Sequence, residues 1–325
     1  MGDRQAATLL IHDQHGGRGF APHLALVAVQ IFFGTWPIAG KVALRALPST
    51  GLVTLRIVGA TLAFVAILHA TRGRRQIERR SDYLRLALFS LLGVVLNQFL
   101  FVKGLALSTA VNATLLGTTI PIFTLLASVM LGKERATLRH VSGMLLAAAG
   151  VVYLVNPLDA ELSGDKKMLG NVLLVANTLC YAAYLALSQD LIRRYGALTV
   201  ITWVFIFGTL AALPFGGYYL ARTPLLDIGA DIWFAVLYII IFPTVGAYYL
   251  NAWALGRVAP STVAIYIYLQ PLIAIALAPS LLGERIDPRT WLAAVLIFAG
   301  VAAVTLRPRS PVFEEVSERP DAAGH

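Results

Sequence analysis

Charge is what this chain of 325 residues has least of. Asp, Glu, Lys and Arg make up 13% of it, where soluble domains average about 25%. With 58% hydrophobic residues and a mean hydropathy of +0.74, too little polar surface exists to cover a soluble globule. Disorder of the bulk is excluded too, because it requires low hydrophobicity. The solvent for most of the chain is a bilayer. A single cysteine, Cys180, excludes a disulfide framework and a thiolate metal site, and within an apolar run its default role is packing. No His-Glu-x-x-His, Gly-x-Ser-x-Gly, membrane-embedded aspartate pair or Walker motif is present. An intramembrane enzyme or an ATP-driven pump is therefore not expected, nor is a cofactor or metal. The net charge of +9 forms no aromatic-interleaved basic patch, so nucleic acid is not an expected partner.

What is present is a series of apolar stretches of spanning length, about 17–25 residues each. They fall at Leu24–Leu44, Ser49–Ala70, Tyr83–Lys103, Thr109–Leu131, Leu138–Val155, Gly170–Gln189, Thr199–Leu220, Asp231–Leu255, Pro260–Leu282 and Thr290–Leu306. Closed barrels need short alternating segments instead, so the expected fold is an all-α membrane protein of ten transmembrane helices. With the N-terminus inside, inner segments hold 17 of the 26 Lys and Arg residues and outer segments 8, Arg56 lying within a span. The excess, concentrated between Arg72 and Arg80, predicts that both termini are cytoplasmic. The first residues lack the basic-then-apolar pattern of a signal peptide. They read as a disordered arm over 1–22, and the polar end as a disordered tail over 307–325.

A shift of 150 superposes the halves of the chain. Ile120-Pro121 falls on Gln270-Pro271, Glu134-Arg135 on Glu284-Arg285, and Ala149-Gly150-Val151 on Ala299-Gly300-Val301. At a shift of 148, Phe33 and Trp36 fall on Tyr181 and Tyr184. Two copies follow, at 23–156 and 170–306, joined by an external linker at 157–169. Each copy has five spans, and an odd number makes the second enter the membrane inverted, as in secondary transporters built around one central site.

These residues resemble a known family. The paired Pro…Leu-Gly-x-Glu-Arg segments, the run Gly34-Thr35-Trp36…Lys41 and the Ala-Gly-Val span ends are similar to EamA-type members of the drug/metabolite transporter superfamily. The stretch Gly93–Ala110, with Asn97-Gln98 and Lys103-Gly104-Leu105, further resembles the nodulin-like metabolite exporters. The resemblance covers about Leu24 to Leu306. It implies ten helices, two five-helix repeats and export of small metabolites, often amino acids. One departure is Phe33, where the family's first repeat usually has Trp before the glycine.

Prolines inside spans mark where backbone carbonyls lose a partner. Pro121 and Pro271 are in register, Pro243 matches Gly93, and Pro37 interrupts the first span. Polar and aromatic stripes at helical spacing mark inward faces: Asn177, Tyr181, Tyr184 and Ser188; Thr244, Tyr248, Asn251 and Leu255; Thr262, Tyr266 and Gln270; Thr114, Thr118 and Pro121. Asn97 and Gln98 sit in the middle of the third span. Lone polar residues usually join helices, but five spans with such faces point to an aqueous chamber. Phe33, Trp36, Tyr181, Tyr184, Tyr248 and Tyr266 would give it walls suited to apolar or aromatic groups. Lys41, Arg56 and Lys103 fall in the outer third of their spans, where they either snorkel to headgroups or draw a carboxylate inward. No Asp or Glu lies in the middle of any span, which leaves proton coupling, exchange and facilitated diffusion open. Gly143 and Ala147 form a small-residue ridge on the fifth span, suited to helix packing or a homodimer. The expected function is a secondary transporter exporting small amphiphilic metabolites across the cytoplasmic membrane by alternating access, with the bilayer and a small-molecule substrate as partners. An importer or facilitator, a lipid-linked sugar translocase, and a non-transport receptor or scaffold are the alternatives.

Overall fold

A computed structural model describes residues 20–71, 77–132, 137–155, 166–255 and 266–305. Thr262, most of the expected arm and linker, the tail, and the Arg72–Arg75 and Glu134-Arg135 stretches lie outside these residues. Among the described residues the regular elements are all helical. In chain order they are α1 (Phe20–Ala43), α2 (Ser49–Ala70), α3 (Arg80–Ser90), α4 (Asn97–Leu107), α5 (Ala110–Gly117), α6 (Ile120–Met130) and α7 (Leu138–Val155). The second half continues with α8 (Lys166–Tyr195), α9 (Ala197–Ala221), α10 (Ala230–Ile239), α11 (Ala247–Leu255), α12 (Leu269–Leu282) and α13 (Pro288–Thr305). A π-helical turn, Leu91–Leu96, joins α3 to α4, and a second, Ile240–Gly246, joins α10 to α11. Eight helices, some counted through these turns, are long and apolar enough to cross a membrane, and two shorter apolar ones follow at Leu269–Leu282 and Pro288–Ala303.

Local sequence accounts for the interruptions. The two π turns coincide at the shift of 150, one containing Gly93 and the other Pro243. Such turns are short interruptions of α-helices that recur at functional sites. Between α5 and α6 the helix gives way at Thr118 and Thr119, just before Pro121. The turn at Ile267-Tyr268 comes one residue earlier relative to Pro271. Pro37 behaves differently, since α1 runs through it unbroken. The ring removes one hydrogen-bond donor, yet helical turns continue on both sides of it.

Packing between the halves occurs in exchanged pairs. α7 lies against α13, and α2 against α9. α8 packs on α4, α5 and α6, while α1 packs on α10, α11 and α12. The closest approaches follow the same rule. A Cβ at Gly150 would come within 2.8 Å of Ile297, and one at Gly300 within 2.5 Å of the Ala147 nitrogen and the Gly143 carbonyl. The Gly143/Ala147 ridge is thus covered by α13 of the same chain. Large apolar side chains such as Leu62, Leu84, Leu138, Phe215 and Val295 lie exposed on the outside.

Candidate functional site

One residue organises the centre of the molecule. Pro243 has no N–H to give the Ile239 carbonyl four residues back. The Thr244 hydroxyl donates to that carbonyl instead, at 2.8 Å. The same hydroxyl oxygen accepts a 2.9 Å hydrogen bond from Nε of Arg56. Arg56 comes from α2, where Leu55 and Ile57 flank it, and only 7% of it is exposed. Its guanidinium lies 4.5 Å from the centroid of the Trp36 ring. That indole also stacks on Phe101, with centroids 5.5 Å apart and planes 18° from parallel. The proline of one half therefore fixes, through a threonine, the cation of the other.

Arg56 lines a cavity of about 270 Å³, near the lower end of the range for small-ligand sites. Its walls come from both halves: Gln30, Phe33, Trp36 and Pro37 of α1, Asn97 and Phe101 of α4, and Thr114 and Gly117 of α5. From the second half come Asn177, Tyr181 and Leu185 of α8, Tyr248 and Asn251 of α11, and Ile267 and Gln270 beside Pro271. No Asp or Glu is among the described lining residues, and Arg56 is their one cation. Desolvating a guanidinium costs several kcal/mol. One charged hydrogen bond returns about 1.5–3 kcal/mol, and a desolvated cation–π contact about 2 kcal/mol. Those contacts leave four of the five N–H donors of Arg56 without a protein acceptor among the described residues. They require water or a ligand in the cavity.

Three prolines lie one turn beyond residues of the wall. The carbonyls that Pro37, Pro121 and Pro271 cannot serve belong to Phe33, Gly117 and Ile267, and all three residues line the cavity. The Ile267 carbonyl accepts from the Gln270 nitrogen at 3.1 Å. Amide groups complete the wall. Gln270 Nε2 donates to Gln30 Oε1 at 2.7 Å. Asn97 and Asn177 each donate from Nδ2 to the other's backbone carbonyl, at 3.4 and 2.7 Å, which ties α4 to α8.

Not every residue of the polar stripes reaches this space. Tyr184 packs over Gly93, where a Cβ would come within 2.5 Å of the ring, and lies edge-on to Phe89. Its helix neighbour Tyr181 keeps the cavity-facing position. Gln98 turns away from the cavity that Asn97 lines. It is 2% exposed, and its Oε1 has no partner among the described residues. Thr118 bonds the Leu115 carbonyl of its own helix at 2.7 Å. Thr244 stands behind Arg56 and not on the wall. Tyr266 pairs with His23, hydroxyl to Nδ1 at 2.8 Å, at one end of α1.

Lys41, at the other end of α1, donates to the Ser108 carbonyl, and Lys103 is exposed, so of the three cations only Arg56 meets the cavity. Near Lys41, Glu284 accepts from the backbone nitrogens of Ala110 and Val111 at 2.8–3.4 Å. It caps the N-terminus of α5, an arrangement that the helix dipole favours. Gly283, with φ of 68°, ends α12 in the left-handed turn that glycine accepts readily and sends Glu284 across. Sequence reasoning missed Gln30 and Phe101. Gln30 stands on one helical face with Gly34, Pro37 and Lys41, a spacing that would have revealed it.

Comparison with known proteins agrees with the architecture. A protein of Archaeoglobus fulgidus described as an uncharacterized transporter is 28% identical over 285 residues, 88% of this chain and 97% of that one. YetK of Bacillus subtilis, likewise described as an uncharacterized transporter, is 23% identical over 95% of this chain and 92% of its own length. A WAT1-related protein of Arabidopsis thaliana is 23% identical over 67% of each chain. A solved crystal structure has the same fold, with a TM-score of 0.59 at 22% identity over 87% of this chain and 96% of that one. The model of the EamA-like transporter family matches twice, at residues 21–156 and 168–306. This multi-pass membrane protein belongs to the EamA-like transporter family.

Proposed function

We propose that the protein is a secondary transporter that exports small amphiphilic metabolites, amino acids or their relatives, across the cytoplasmic membrane by alternating access. The observation that carries the reading is the cavity itself. It lies between two halves whose contacts occur in exchanged pairs, and it is walled by residues beside interruptions at matching positions of both. Ten spans arranged as two inverted five-span repeats account for that exchange. Each contact then has a mate on the opposite side of the membrane, and remaking one set while breaking the other alternates access. Glu284 capping α5 and the His23–Tyr266 pair, at opposite ends of α1, are the contacts available to such a cycle.

Orientation follows from the inner-loop arginines, with both termini cytoplasmic. The absence of an acid from the described cavity wall favours exchange or facilitated diffusion over proton coupling through this site. The test is flux into and out of proteoliposomes holding the purified chain, with labelled amino acids, organic acids and nucleobases in separate pools. Saturable flux of one pool, lost on blocking the cavity with Asn97→Trp, is the expected result. Absence of flux for every pool favours a receptor or scaffold instead.

A further inference from the structure

Arg56 has the build of a ligand anchor, not of a snorkelling or purely structural arginine. It is more than nine-tenths buried. Its Nε is taken by Thr244 and one face by Trp36, so the head is fixed in place. The donors of both terminal nitrogens have no protein acceptor among the described residues, and the side chain lines the cavity. A guanidinium stays protonated in any protein environment, so the cavity carries a permanent positive charge with no carboxylate among the described lining residues to balance it. The two terminal nitrogens form a planar fork whose natural complement is a bidentate oxyanion. Besides its amides, the wall carries the aromatic rings of Trp36, Phe101, Phe33 and Tyr181.

We infer that the transported compound bears a carboxylate, which docks on the free fork of Arg56 while its apolar part lies against these four rings. The inference rests on the transport reading and narrows it to organic acids and amino acids, excluding amines and uncharged compounds. Thr244 is a positioning residue, since it acts by holding the guanidinium.

The experiment compares three probes of one size and shape that differ only in the head group: 3-phenylpropionate, 3-phenylpropionamide and 3-phenylpropylamine. Binding to the purified full-length protein is measured by isothermal titration. The carboxylate is expected to bind at least about thirtyfold more tightly than the amide or the amine. Arg56→Gln should remove that preference, and Arg56→Lys, which keeps the charge but loses the fork, should retain part of it. The wild-type series stands as a test even when Arg56→Gln fails to fold. Equal binding of the three probes, binding of none, or an unchanged preference in a folded Arg56→Gln variant overturns the inference. The same probes in proteoliposomes separate it from the transport reading. Tight carboxylate binding without flux overturns transport and leaves the site standing. Equal flux of all three overturns the site and leaves transport standing.

Discussion

Gln30 and Gln270 hydrogen-bond side chain to side chain, Nε2 to Oε1 at 2.7 Å, and so bind α1 to the segment that turns just before Pro271. Both amides also face the cavity. Because they share one bond, Gln30→Ala and Gln270→Ala should each destabilise the protein by about 0.5–1.5 kcal/mol. The double variant should lose less than the sum. Thermal melting of the detergent-purified variants checks this, and a strictly additive result would show that the two side chains act independently.

Thr244 offers a sharper separation of roles. Thr244→Val keeps the shape but removes both the donor to Ile239 and the acceptor for Arg56. Binding of 3-phenylpropionate should weaken by about tenfold, the equivalent of one hydrogen bond to a charged group. Thr244→Ser should restore it. Titration of the two variants side by side decides, because a purely volumetric role would make serine, the smaller residue, no better than valine.

Gly93 has no room for a side chain, since a Cβ would meet Cγ of Tyr184 at 2.5 Å, the buried root of the ring and not its free end. Gly93→Ala should lower stability by about 1–3 kcal/mol, the usual penalty of overpacking. Pairing it with Tyr184→Leu should recover part of the loss, as read by thermal melting.

Two adjacent glycines in α9 should respond in opposite ways. A Cβ at Gly216 would overlap Thr54 at 1.6 Å, whereas one at Gly217 meets nothing within 4 Å. Gly216→Ala should be strongly destabilising. Gly217→Ala should be neutral or stabilise by up to about 1 kcal/mol, alanine being the better helix former. Comparison of the two melting temperatures tests the packing of α2 on α9 without touching the cavity.

Glu284, just beyond the end of α12, caps α5. Glu284→Gln keeps an acceptor but loses the charge at the helix N-terminus, a loss of about 0.3–1 kcal/mol. Glu284→Ala removes the cap and should cost about 1–2 kcal/mol. If this contact belongs to the transport cycle, both variants should also raise the labelling rate of a cysteine placed at Thr109 in a Cys180→Ser background. Unchanged labelling would assign the cap to stability alone.

Much of this arrangement was legible in the chain. Continuous apolar runs located the helices, and the Pro121/Pro271 register located paired interruptions. The spacing of Asn177 and Tyr181, or of Tyr248 and Asn251, put them on inward faces, because a 3.6-residue period holds inside a regular helix. The rest depended on contacts between distant segments. Tyr184 shares a face with Tyr181, yet Gly93 of another helix receives it. Thr244 was visible as a polar residue after a proline, but its use as a rest for Arg56 required α2 to lie beside it. Gln98 and Asn97 are neighbours whose opposite fates depend on the phase of one turn.

That phase is set by the π turn Leu91–Leu96, and by its counterpart Ile240–Gly246 in the other half. A wider turn holds back rotation by about one residue, some 100° of helix, before regular winding resumes. Deleting a single residue from either stretch would let the backbone close into an ordinary α-helix and strengthen its local hydrogen bonding. Everything beyond it would keep its facing, because the lost residue and the lost widening cancel, so Asn97 and Phe101, or Tyr248 and Asn251, would stay on the cavity wall. At these two places the chain can spare one residue that a regular helix could not. The same deletion within the regular helix Asn97–Leu107 would instead turn everything beyond it by about 100°.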